Sequence, residues 1–385
     1  MNSSAPLNGV RIIDFTFQAA GAYGAMLLAA LGADVIKVES SRRLDPTRGR
    51  ENRPYLVSVL FDDVNSGKRS LALDMKTPEG LDIARQLINR SDAVIDNFRP
   101  GVMFNWGLTH ELLSAANPRL VVASLSAVGG EGPLSDLPGY AGIFSAFSGL
   151  GFLTGYENGP PTELRTSVDM RAGAFFALGI VHGLLQAKLT GIGTRIDFSA
   201  AESITTLCGE YVAIFQLLGA ETERIGNGDE QYYPHGIFGC SDDRWLSVAV
   251  RNDNDRQRLT PLLGFSETDT NEDLEFKLAN WVGGKSRDEG FAELQRLGIP
   301  SSPVQDASDV SIDPQLTARE FFVEMGVRPD GASRVIAAAP FRINGERPAV
   351  TIGPPLGQHT NEILEEVLGL TSSEIKKLTD AGILA

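Results

Sequence analysis

The sequence is poor in cysteine and has no excess of positive charge. Its 385 residues include two cysteines, Cys208 and Cys240, whose separation fits neither a disulfide framework nor a zinc-binding motif. The formal net charge of −15 disfavours the extended basic surface that a nucleic acid or an anionic membrane requires. We therefore expect a cytoplasmic protein with no metal site, in which any anionic ligand meets a local cluster of cations.

Membrane-spanning apolar runs and a dinucleotide-binding glycine pattern are also missing. The N-terminus has no signal-peptide pattern, and the longest apolar stretches, Ala22–Ala33 and Ala172–Ala187, are too short to span a membrane or are interrupted by glycine and histidine. We interpret both stretches as buried core helices and expect no membrane partner. The first turn, FTFQAAGAYG, lacks the G-x-G-x-x-G pattern, which disfavours a nicotinamide-dependent or flavin-dependent oxidoreductase.

What the chain does contain is a regular alternation of short apolar strands and helices. Apolar residues make up 42% of the sequence, enough to bury a large core. Nearly continuous apolar segments that alternate with helices are typical of an α/β fold with a doubly wound parallel sheet. The predicted strands are Val10–Phe15, Asp34–Val38, Ser70–Met75, Ala93–Asn97, Leu120–Leu125 and Arg195–Ser199.

A different pattern follows the polar turn Gly226–Asp229. Two alternating strands, Gly236–Cys240 and Trp245–Val250, precede a largely helical stretch from Pro261 to Gly298, which indicates a small α+β domain. The tail from Thr360 to Leu384 has the pattern of two charged amphipathic helices. We therefore divide the chain into residues 1–222, the N-terminal part of a large α/β domain; 223–325, the small domain; and 326–385, a C-terminal return to the large domain.

Basic residues recur near the predicted strand ends. In doubly wound sheets, ligands bind beyond the carboxyl ends of the strands. A cluster of cations there, on an otherwise acidic chain, favours a phosphate-bearing, nucleotide-like ligand, although each charge alone could simply face solvent. These residues are Arg42, Arg43, Lys68, Arg69, Lys76 and Arg99.

Asp169 is the most prominent candidate for catalysis. The segment Arg165–Gly191 places it immediately before a helix that is apolar on nearly every face. Unpaired N–H groups at a helix start can keep a carboxylate ionised and stabilise negative charge on a neighbouring oxygen. Taken alone, an aspartate at this position is more often an N-cap, so other residues must decide between the two roles.

The chain resembles the class III, or family III, CoA-transferases, a family that also includes acyl-CoA racemases. The segments that carry the resemblance are LNGVRIIDFT, AGAYGAMLLAALGADVIKVES, NSGKRSLALDMKTPEG, SDAVIDNFRPGVMFNWGL, NPRLVVASLSAVGGEGP, SVDMRAG and LTGIGTRIDFSAAES. The likeness continues through DPQLTAREFF and Gly357–Thr360 and so spans nearly the whole chain.

The resemblance implies that Asp169 is a nucleophile. Its carboxylate would attack a thioester to give a mixed anhydride and then an aspartyl-CoA thioester, from which CoA passes to a second acid. Acyl-CoA and a free carboxylic acid are then the substrates, with coenzyme A as a substrate and no tightly bound cofactor or metal. The resemblance also implies a homodimer whose chains are interlinked.

The same resemblance suggests the residues that contact CoA. Ala19, Ser40 and the pair Asn105–Trp106 depart from the family pattern, while Gln18 stands one position out of register and Arg42 or Arg43 could supply a missing cation. The expected CoA contacts are Gln18, Ala20, Arg42, Arg43, Leu73, Met75, Lys76, Asn97, Phe98, Arg99, Asn105 and Trp106.

Four further residues are candidate substrate contacts. Gly129 and Gly130 could offer N–H groups to an oxyanion, with a tight turn as the alternative. His235 follows a loop that approaches the active site in the family, with a structural turn as the alternative. Tyr140 lies in the segment Pro138–Ala141, where the racemases have a histidine base. Because that histidine is missing, we favour a transferase over a racemase or epimerase, and a subunit of a heteromeric transferase is a third possibility.

Overall fold

The computed structural model describes residues 5–48, 54–266, 268–327 and 333–385. These residues form two compact units. The second unit comprises Phe152–Thr162 and Leu218–Thr317, and the first comprises the remaining parts of the chain. The domain boundaries derived from the sequence, at residues 222 and 325, stay a prediction.

A six-stranded parallel sheet organises the first unit, as far as the structure describes it. The order β3-β2-β1-β4-β5-β6 confirms the predicted doubly wound sheet, whose direction of winding reverses between β1 and β4. The strands are β1 (Arg11–Asp14), β2 (Asp34–Glu39), β3 (Arg69–Ala72), β4 (Ala93–Asp96), β5 (Val121–Ser126) and β6 (Arg195–Ser199).

Helices cover the sheet and fill the second unit. In chain order they are α1 (Ala20–Ala30), α2 (Pro54–Asn65), α3 (Pro78–Asn89), α4 (Val102–Asn105), α5 (His110–Ala116), α6 (Ala141–Phe147), α7 (Leu150–Leu153), α8 (Thr166–Thr190), α9 (Ala200–Thr205), α10 (Gly209–Leu218), α11 (Asp253–Leu263), α12 (Asn271–Gly283), α13 (Arg287–Arg296), α14 (Ala307–Ser311), α15 (Pro314–Ala318), α16 (Thr360–Ile363) and α17 (Ser372–Asp380), with a 3₁₀ turn at Pro46–Arg48 and a π turn at Leu364–Leu368.

Two glycines let α1 and α8 pack very closely on one face of the sheet. A Cβ atom on Gly24 would lie 2.6 Å from the carbonyl oxygen of Gly173, and a Cβ atom on Gly173 would lie 2.3 Å from the carbonyl oxygen of Ala20. Both distances are far below van der Waals contact, so only glycine allows this approach. The contact fixes the start of α1 relative to the first turns of α8.

Helix α8 runs for 25 residues without a break. The glycines and the histidine that interrupt its apolar run do not interrupt the helix itself. By length and composition it could cross a membrane, but 44% of its most apolar window is buried inside the fold. Gly173 allows the contact with α1, and a Cβ atom on Gly183 would lie 3.0 Å from Val121 of β5, so these two glycines allow close packing within the fold.

The apolar segment from Ala200 to Leu218 forms two helices, α9 and α10. The hydroxyl groups of Thr205 and Thr206 donate to the carbonyl groups of Ala201 and Ser203 at 3.0 and 2.8 Å. Threonine and the following Gly209 both weaken a helix, which explains the break.

The second unit contains an antiparallel sheet of β7 (His235–Gly239), β8 (Trp245–Ala249) and β9 (Ser301–Pro303). Helices α11, α12 and α13 pack against it around a core that includes Leu246, Leu278 and Leu294. This arrangement confirms the predicted small α+β region. The long helical stretch is divided, and Gly298 ends it with a φ angle of +68°.

The C-terminal segment returns to the first unit. After β10 (Phe322–Val327) and β11 (Ser333–Ala337), the chain reaches the outer edge of β3. There the backbone N–H of His359 donates to the carbonyl of Ser70 at 3.0 Å, and the N–H of Ser70 donates to His359 Nδ1 at 3.1 Å. The hydroxyl of Thr360 accepts from the N–H of Ala72 at 3.0 Å. The returning segment therefore covers the edge strand.

Candidate active site

The loop after β1 and the residue after β4 are joined at the point where the sheet reverses its winding. The side-chain amide of Asn97 donates to the carbonyl of Phe17 at 2.8 Å, and its oxygen accepts from the N–H of Phe17 at 3.0 Å. Asn97 therefore forms hydrogen bonds with both the N–H and the carbonyl of Phe17 and so holds the loop beside β4. Ligands of doubly wound sheets bind at this position, so the loop belongs to the candidate site.

A buried ion pair, formed by Lys37 and Asp45, holds this loop through hydrogen bonds. Lys37 Nζ donates to the carbonyl of Thr16 at 2.7 Å and to the carboxylate of Asp45 at 3.0 Å. Both side chains of this ion pair are at most 1% exposed. Burial alone would raise the pKa of Asp45, but the Lys37 charge and hydrogen bonds from Thr47 hold this pKa below its ordinary value. Asp45 is therefore a buried carboxylate that stays ionised.

A second buried pair lies beside the first. Lys68 Nζ donates to Asp14 at 2.8 Å, and the other oxygen of Asp14 accepts from the N–H and hydroxyl of Thr16. Burial lowers the pKa of Lys68 to about 8, against the opposing effect of the Asp14 charge. The ammonium group of Lys68 is fully enclosed by protein partners, so it could bind a phosphate, as predicted, only if this ion pair opened.

Gln18 has an unusual backbone conformation. Its φ angle is +59°, in the left-handed region that residues other than glycine seldom adopt. Its N–H group lies 3.3 Å from both carboxylate oxygens of Asp45. Such conformations persist only where the surroundings enforce them, and they cluster at functional sites.

Asp169 lies inside the first turn of α8, not before it. The helix begins at Thr166, with Arg165 in the N-cap position, so the prediction that Asp169 immediately precedes the helix is wrong and an N-cap role is excluded. Within the described part of the chain, no hydrogen bond or ion pair reaches its carboxyl group. Burial raises the pKa of Asp169 to about 6. Removal from water thus disfavours the ionised form, the opposite of the effect that was expected from the helix start.

The position of Asp169 follows from the contact between α1 and α8. Asp169 precedes Gly173 by four residues, so it lies one turn earlier on the same face of α8. Gly173 touches Ala20, the first residue of α1, which brings Asp169 to the level of the start of α1. No side chain caps that helix start in the described structure. Its free N–H groups and partial positive charge can stabilise an oxyanion next to Asp169.

A cavity of about 410 Å³ lies beside the loop at the carboxyl ends of β1 and β2. Aromatic and cationic side chains line it, and the guanidinium of Arg43 lies 5.1 Å from the ring centroid of Phe17 and 5.8 Å from that of Phe98. Aromatic faces and cations suit a nucleotide, whose base stacks and whose phosphates are negatively charged. The predicted CoA contacts among its lining residues are Arg42, Arg43, Leu73, Met75, Lys76, Phe98 and Trp106.

The other predicted CoA contacts lie outside the lining of this cavity. Gln18, Ala20 and Asn97 belong to the adjoining loop and helix start, whereas Asn105 is exposed at the end of α4. Arg99 lines a separate cavity of about 280 Å³. Arg69 forms ion pairs with Asp34, Glu362 and Glu366, so its charge is neutralised within the protein.

The four predicted substrate contacts have different surroundings. The N–H of Gly130 donates to the Asp197 carboxylate at 2.9 Å, so an oxyanion role would require this bond to open. Gly129 has a φ angle of +94°, as a tight turn requires. Tyr140 precedes α6 with 66% of its surface exposed. His235 belongs to the second unit, where its Nδ1 lies 2.8 Å from the carbonyl of Asn227.

The sequence patterns missed several residues that the site contains. Lys37 and Asp45 form the support of the loop, and Phe15 and Phe17 add aromatic surface to the cavity. One signal was present: a lysine in the middle of the apolar strand DVIKVE must find a buried partner. The identity of that partner depends on the fold, because Asp45 lies in the following turn rather than on the strand.

Comparisons with known proteins agree along almost the entire chain. Residues 7–360 match the family described as CoA-transferase family III. The alpha subunit of a succinyl-CoA–L-malate CoA-transferase from Chloroflexus aurantiacus is 31% identical over 398 residues, covering 98% of this chain and 92% of the relative. A succinyl-CoA–D-citramalate CoA-transferase from the same organism is 31% identical, covering 97% and 96%. A CAIB/BAIF family protein from Brucella suis superposes with a TM-score of 0.83 at 28% identity, covering 94% of this chain and 99% of that chain.

Proposed function

This chain belongs to CoA-transferase family III, and on that premise we propose that it transfers coenzyme A from an acyl-CoA thioester to a free carboxylic acid through covalent intermediates on Asp169. The observation that carries this proposal is a partly buried carboxyl group, without a protein partner in the described chain, at the level of the start of α1. Such a group is free to attack a substrate carbonyl, and the neighbouring N–H groups can stabilise the oxyanion that forms.

The reaction would proceed in balanced steps. An oxygen of the Asp169 carboxylate attacks the thioester carbonyl, the C–S bond breaks, and a mixed anhydride and CoA thiolate result. The thiolate attacks the Asp169 carbonyl of the anhydride, which forms an aspartyl-CoA thioester and releases the first acid. The carboxylate of the second acid attacks this thioester and expels CoA thiolate, and the thiolate then attacks the acyl carbonyl of the new anhydride. The products are the second acyl-CoA and the original Asp169 carboxylate.

The nucleotide part of CoA fits the aromatic and cationic cavity. Arg43, which lies near the rings of Phe17 and Phe98, and Lys76 would donate hydrogen bonds to the phosphate groups. Trp106 adds a flat apolar surface for the adenine base. The names of the two relatives suggest succinyl-CoA as donor and a short dicarboxylic hydroxy acid as acceptor. We propose acids of this class as the first substrates to test.

We also propose that the chain acts as an interlinked homodimer in the cytoplasm, without a nucleic acid or membrane partner. Four apolar side chains on the outer face of α8 are separated by three, seven and four residues, which places them along one side of the helix. Leu178 is 64% exposed and Leu189 75%, and Phe175 and Leu185 continue the same stripe. A second copy of the chain would remove this apolar surface from water.

The experiment follows CoA exchange and covalent labelling together. The protein is incubated with succinyl-CoA and malate, the CoA products are identified by mass spectrometry, and the Asp169 peptide is mapped after hydroxylamine treatment. We expect malyl-CoA and a modified Asp169, and neither in Asp169→Asn, which has nearly the same volume. Exchange at parental rates in Asp169→Asn would contradict the mechanism.

Incorporation of deuterium distinguishes the transferase from the racemase, and addition of a second subunit tests the heteromeric alternative. Ala141 is buried in the core and cannot act as a base, so acyl-CoA recovered from deuterium oxide should gain no α-deuterium beyond the spontaneous level. Rapid α-deuteration without CoA exchange, abolished by His235→Ala, would favour the racemase. Exchange that appears only after a second, different subunit is added would favour the heteromeric transferase.

A further inference from the structure

The loop at Thr16–Gln18 is supported by an ion pair that the reaction scheme does not use. Lys37 binds the carbonyl of Thr16, and Asp45 binds the N–H of Gln18. We infer that the buried Lys37–Asp45 pair consists of positioning residues, which hold this loop so that the start of α1 is aligned with Asp169. This inference rests on the proposed function of Asp169.

The contacts form a continuous path from the ion pair to α8, the helix that carries Asp169. Gly21 lies so close to the loop that a Cβ atom there would be 2.8 Å from Thr16 Cβ and 3.0 Å from Asn97 Cβ. Ala20, the residue before it, touches Gly173 of α8. A shift of Thr16 therefore moves the first turn of α1, and with it the N–H groups that we propose to stabilise the oxyanion at Asp169.

The free-energy cost of burying the Lys37–Asp45 pair indicates that the pair has a role other than stabilising the fold. A buried ion pair is often less stabilising than a well-packed apolar pair of similar volume. This one also enforces the left-handed backbone of Gln18, which is strained for a residue with a side chain. If the pair served stability alone, apolar residues on β2 would serve better. Fixing one loop geometry requires directed hydrogen bonds, which apolar residues cannot supply.

Other charges surround the pair and must stay unchanged in a test. Asp14 and Lys68 lie next to it, and Glu39 accepts a hydrogen bond from the backbone N–H of Asp45 at 2.9 Å. The double variant Lys37→Met/Asp45→Asn removes one positive and one negative charge. It preserves the net charge of the cluster and leaves no unpaired buried ion.

A control pair lies at the first residue of the same strand. Asp34, the first residue of β2, forms an ion pair with Arg69 at 2.7 Å, and these side chains are 16% and 17% exposed. The variant Arg69→Met/Asp34→Asn also removes a charge pair that touches β2, but away from the loop. We expect its rate of Asp169 acylation to equal that of the parent protein.

The test measures three quantities for the parent and both double variants. They are the single-turnover rate of Asp169 acylation by succinyl-CoA, the affinity for CoA, and the thermal midpoint of unfolding. For Lys37→Met/Asp45→Asn we expect acylation to slow on the order of 100-fold, as small misplacements of catalytic groups do. The thermal midpoint should stay close to the parental value. CoA affinity should fall much less than the acylation rate, because Lys37 and Asp45 line the cavity but bind each other and the loop, whereas Arg43 and Lys76 remain for the phosphates.

Three other results would overturn the positioning role of the Lys37–Asp45 pair, and a fourth would overturn the proposed mechanism as well. Parental acylation in Lys37→Met/Asp45→Asn overturns the positioning role. An equal loss of acylation in the control variant, or a loss that parallels a fall in CoA affinity or in the thermal midpoint, also overturns it. If the parent protein itself shows CoA exchange without labelling at Asp169, the proposed mechanism fails, and the positioning inference fails with it.

Discussion

At the scale of single residues, Asp169 shows two opposing effects on one carboxyl group. The first turn of a helix favours a negative charge, whereas removal from water disfavours it. The group has no hydrogen-bond donor or cation as a partner among the described residues, so desolvation dominates and the pKa rises to about 6. A carboxylate with this pKa is ionised at neutral pH and is a stronger base, and so a better nucleophile, than an ordinary aspartate.

This pKa predicts how the reaction depends on pH. Only the ionised form of Asp169 can attack, so the rate of its acylation should be constant above pH 7 and fall about tenfold per pH unit well below pH 6. Single-turnover acylation between pH 4.5 and 8 checks this, with the folded state monitored by circular dichroism at each pH. A rate that stays constant down to pH 4.5 would show that the attacking group is not a carboxyl with a raised pKa.

At the scale of elements, the contact between α1 and α8 can be tested with a pair of glycines on one helix. Gly173→Ala would place its Cβ atom 2.3 Å from the Ala20 carbonyl, whereas a Cβ atom on Gly179 has its nearest neighbour at 3.8 Å. We expect Gly173→Ala to destabilise the protein by about 1–3 kcal/mol through overpacking and to slow acylation. Gly179→Ala should instead be neutral or stabilising by about 0.4–1 kcal/mol.

Urea unfolding and single-turnover kinetics on these two variants provide the measurements. They separate the loss of a close helix contact from the general effect of adding a methyl group to α8. Equal stability of Gly173→Ala and Gly179→Ala would mean that the two helices are not held at this distance.

The returning C-terminal segment offers a second test at this scale. His359 accepts the Ser70 N–H through Nδ1, which requires a neutral ring. Burial, as the largest effect, lowers its pKa below the ordinary value of 6.5. The unfolded chain therefore takes up this proton at a higher pH than the folded chain, so the free energy of unfolding should decrease as the pH falls below about 6.5.

We expect His359→Ala to lose about 1–2 kcal/mol of stability at pH 7.5, because the Ser70 N–H loses its acceptor. His359→Asn keeps an acceptor but cannot titrate, so its stability should change less between pH 7.5 and pH 5.5 than that of the parent protein. Urea unfolding at the two pH values checks both expectations. An unchanged pH dependence in His359→Asn would show that His359 is not responsible.

The sequence predicted those elements that local patterns determine. The six strands of the parallel sheet were correct because buried parallel strands are nearly continuous apolar segments. Helix α2 was missed, and the break between α9 and α10 depends on threonine hydroxyl bonds that periodicity does not reveal. In the site, the cations near strand ends were visible, but which of them are neutralised by partners depends on tertiary structure, as Arg69 and Lys68 illustrate.

At the scale of the whole molecule, the exposed stripe on α8 remains to be explained. The buried side of this helix forms the core with α1, so its outer side would be expected to be polar in a monomer. Instead Phe175, Leu178, Leu185 and Leu189 are each at least 40% exposed, and α10 adds Phe215 and Leu217 at 52% and 82%. Apolar surface of this extent is typical of an interface with another protein chain.

We predict that this interface joins two copies of the chain that are interlinked, and exchange of subunits tests the linkage. Light scattering at micromolar concentration should give the mass of a dimer. Two forms with different tags should give mixed dimers when they are produced together. They should give none when they are mixed after purification, because interlinked chains separate only if part of the fold opens; a brief exposure to urea followed by refolding should then restore the mixed dimers. Leu178→Glu/Leu189→Glu should reduce the yield of dimer, whereas Leu112→Glu, at a similarly exposed position outside the stripe, should not.

Rapid exchange between purified native dimers would mean that the subunits associate through a surface contact and are not interlinked. A monomer in light scattering would mean that the apolar stripe binds a different protein.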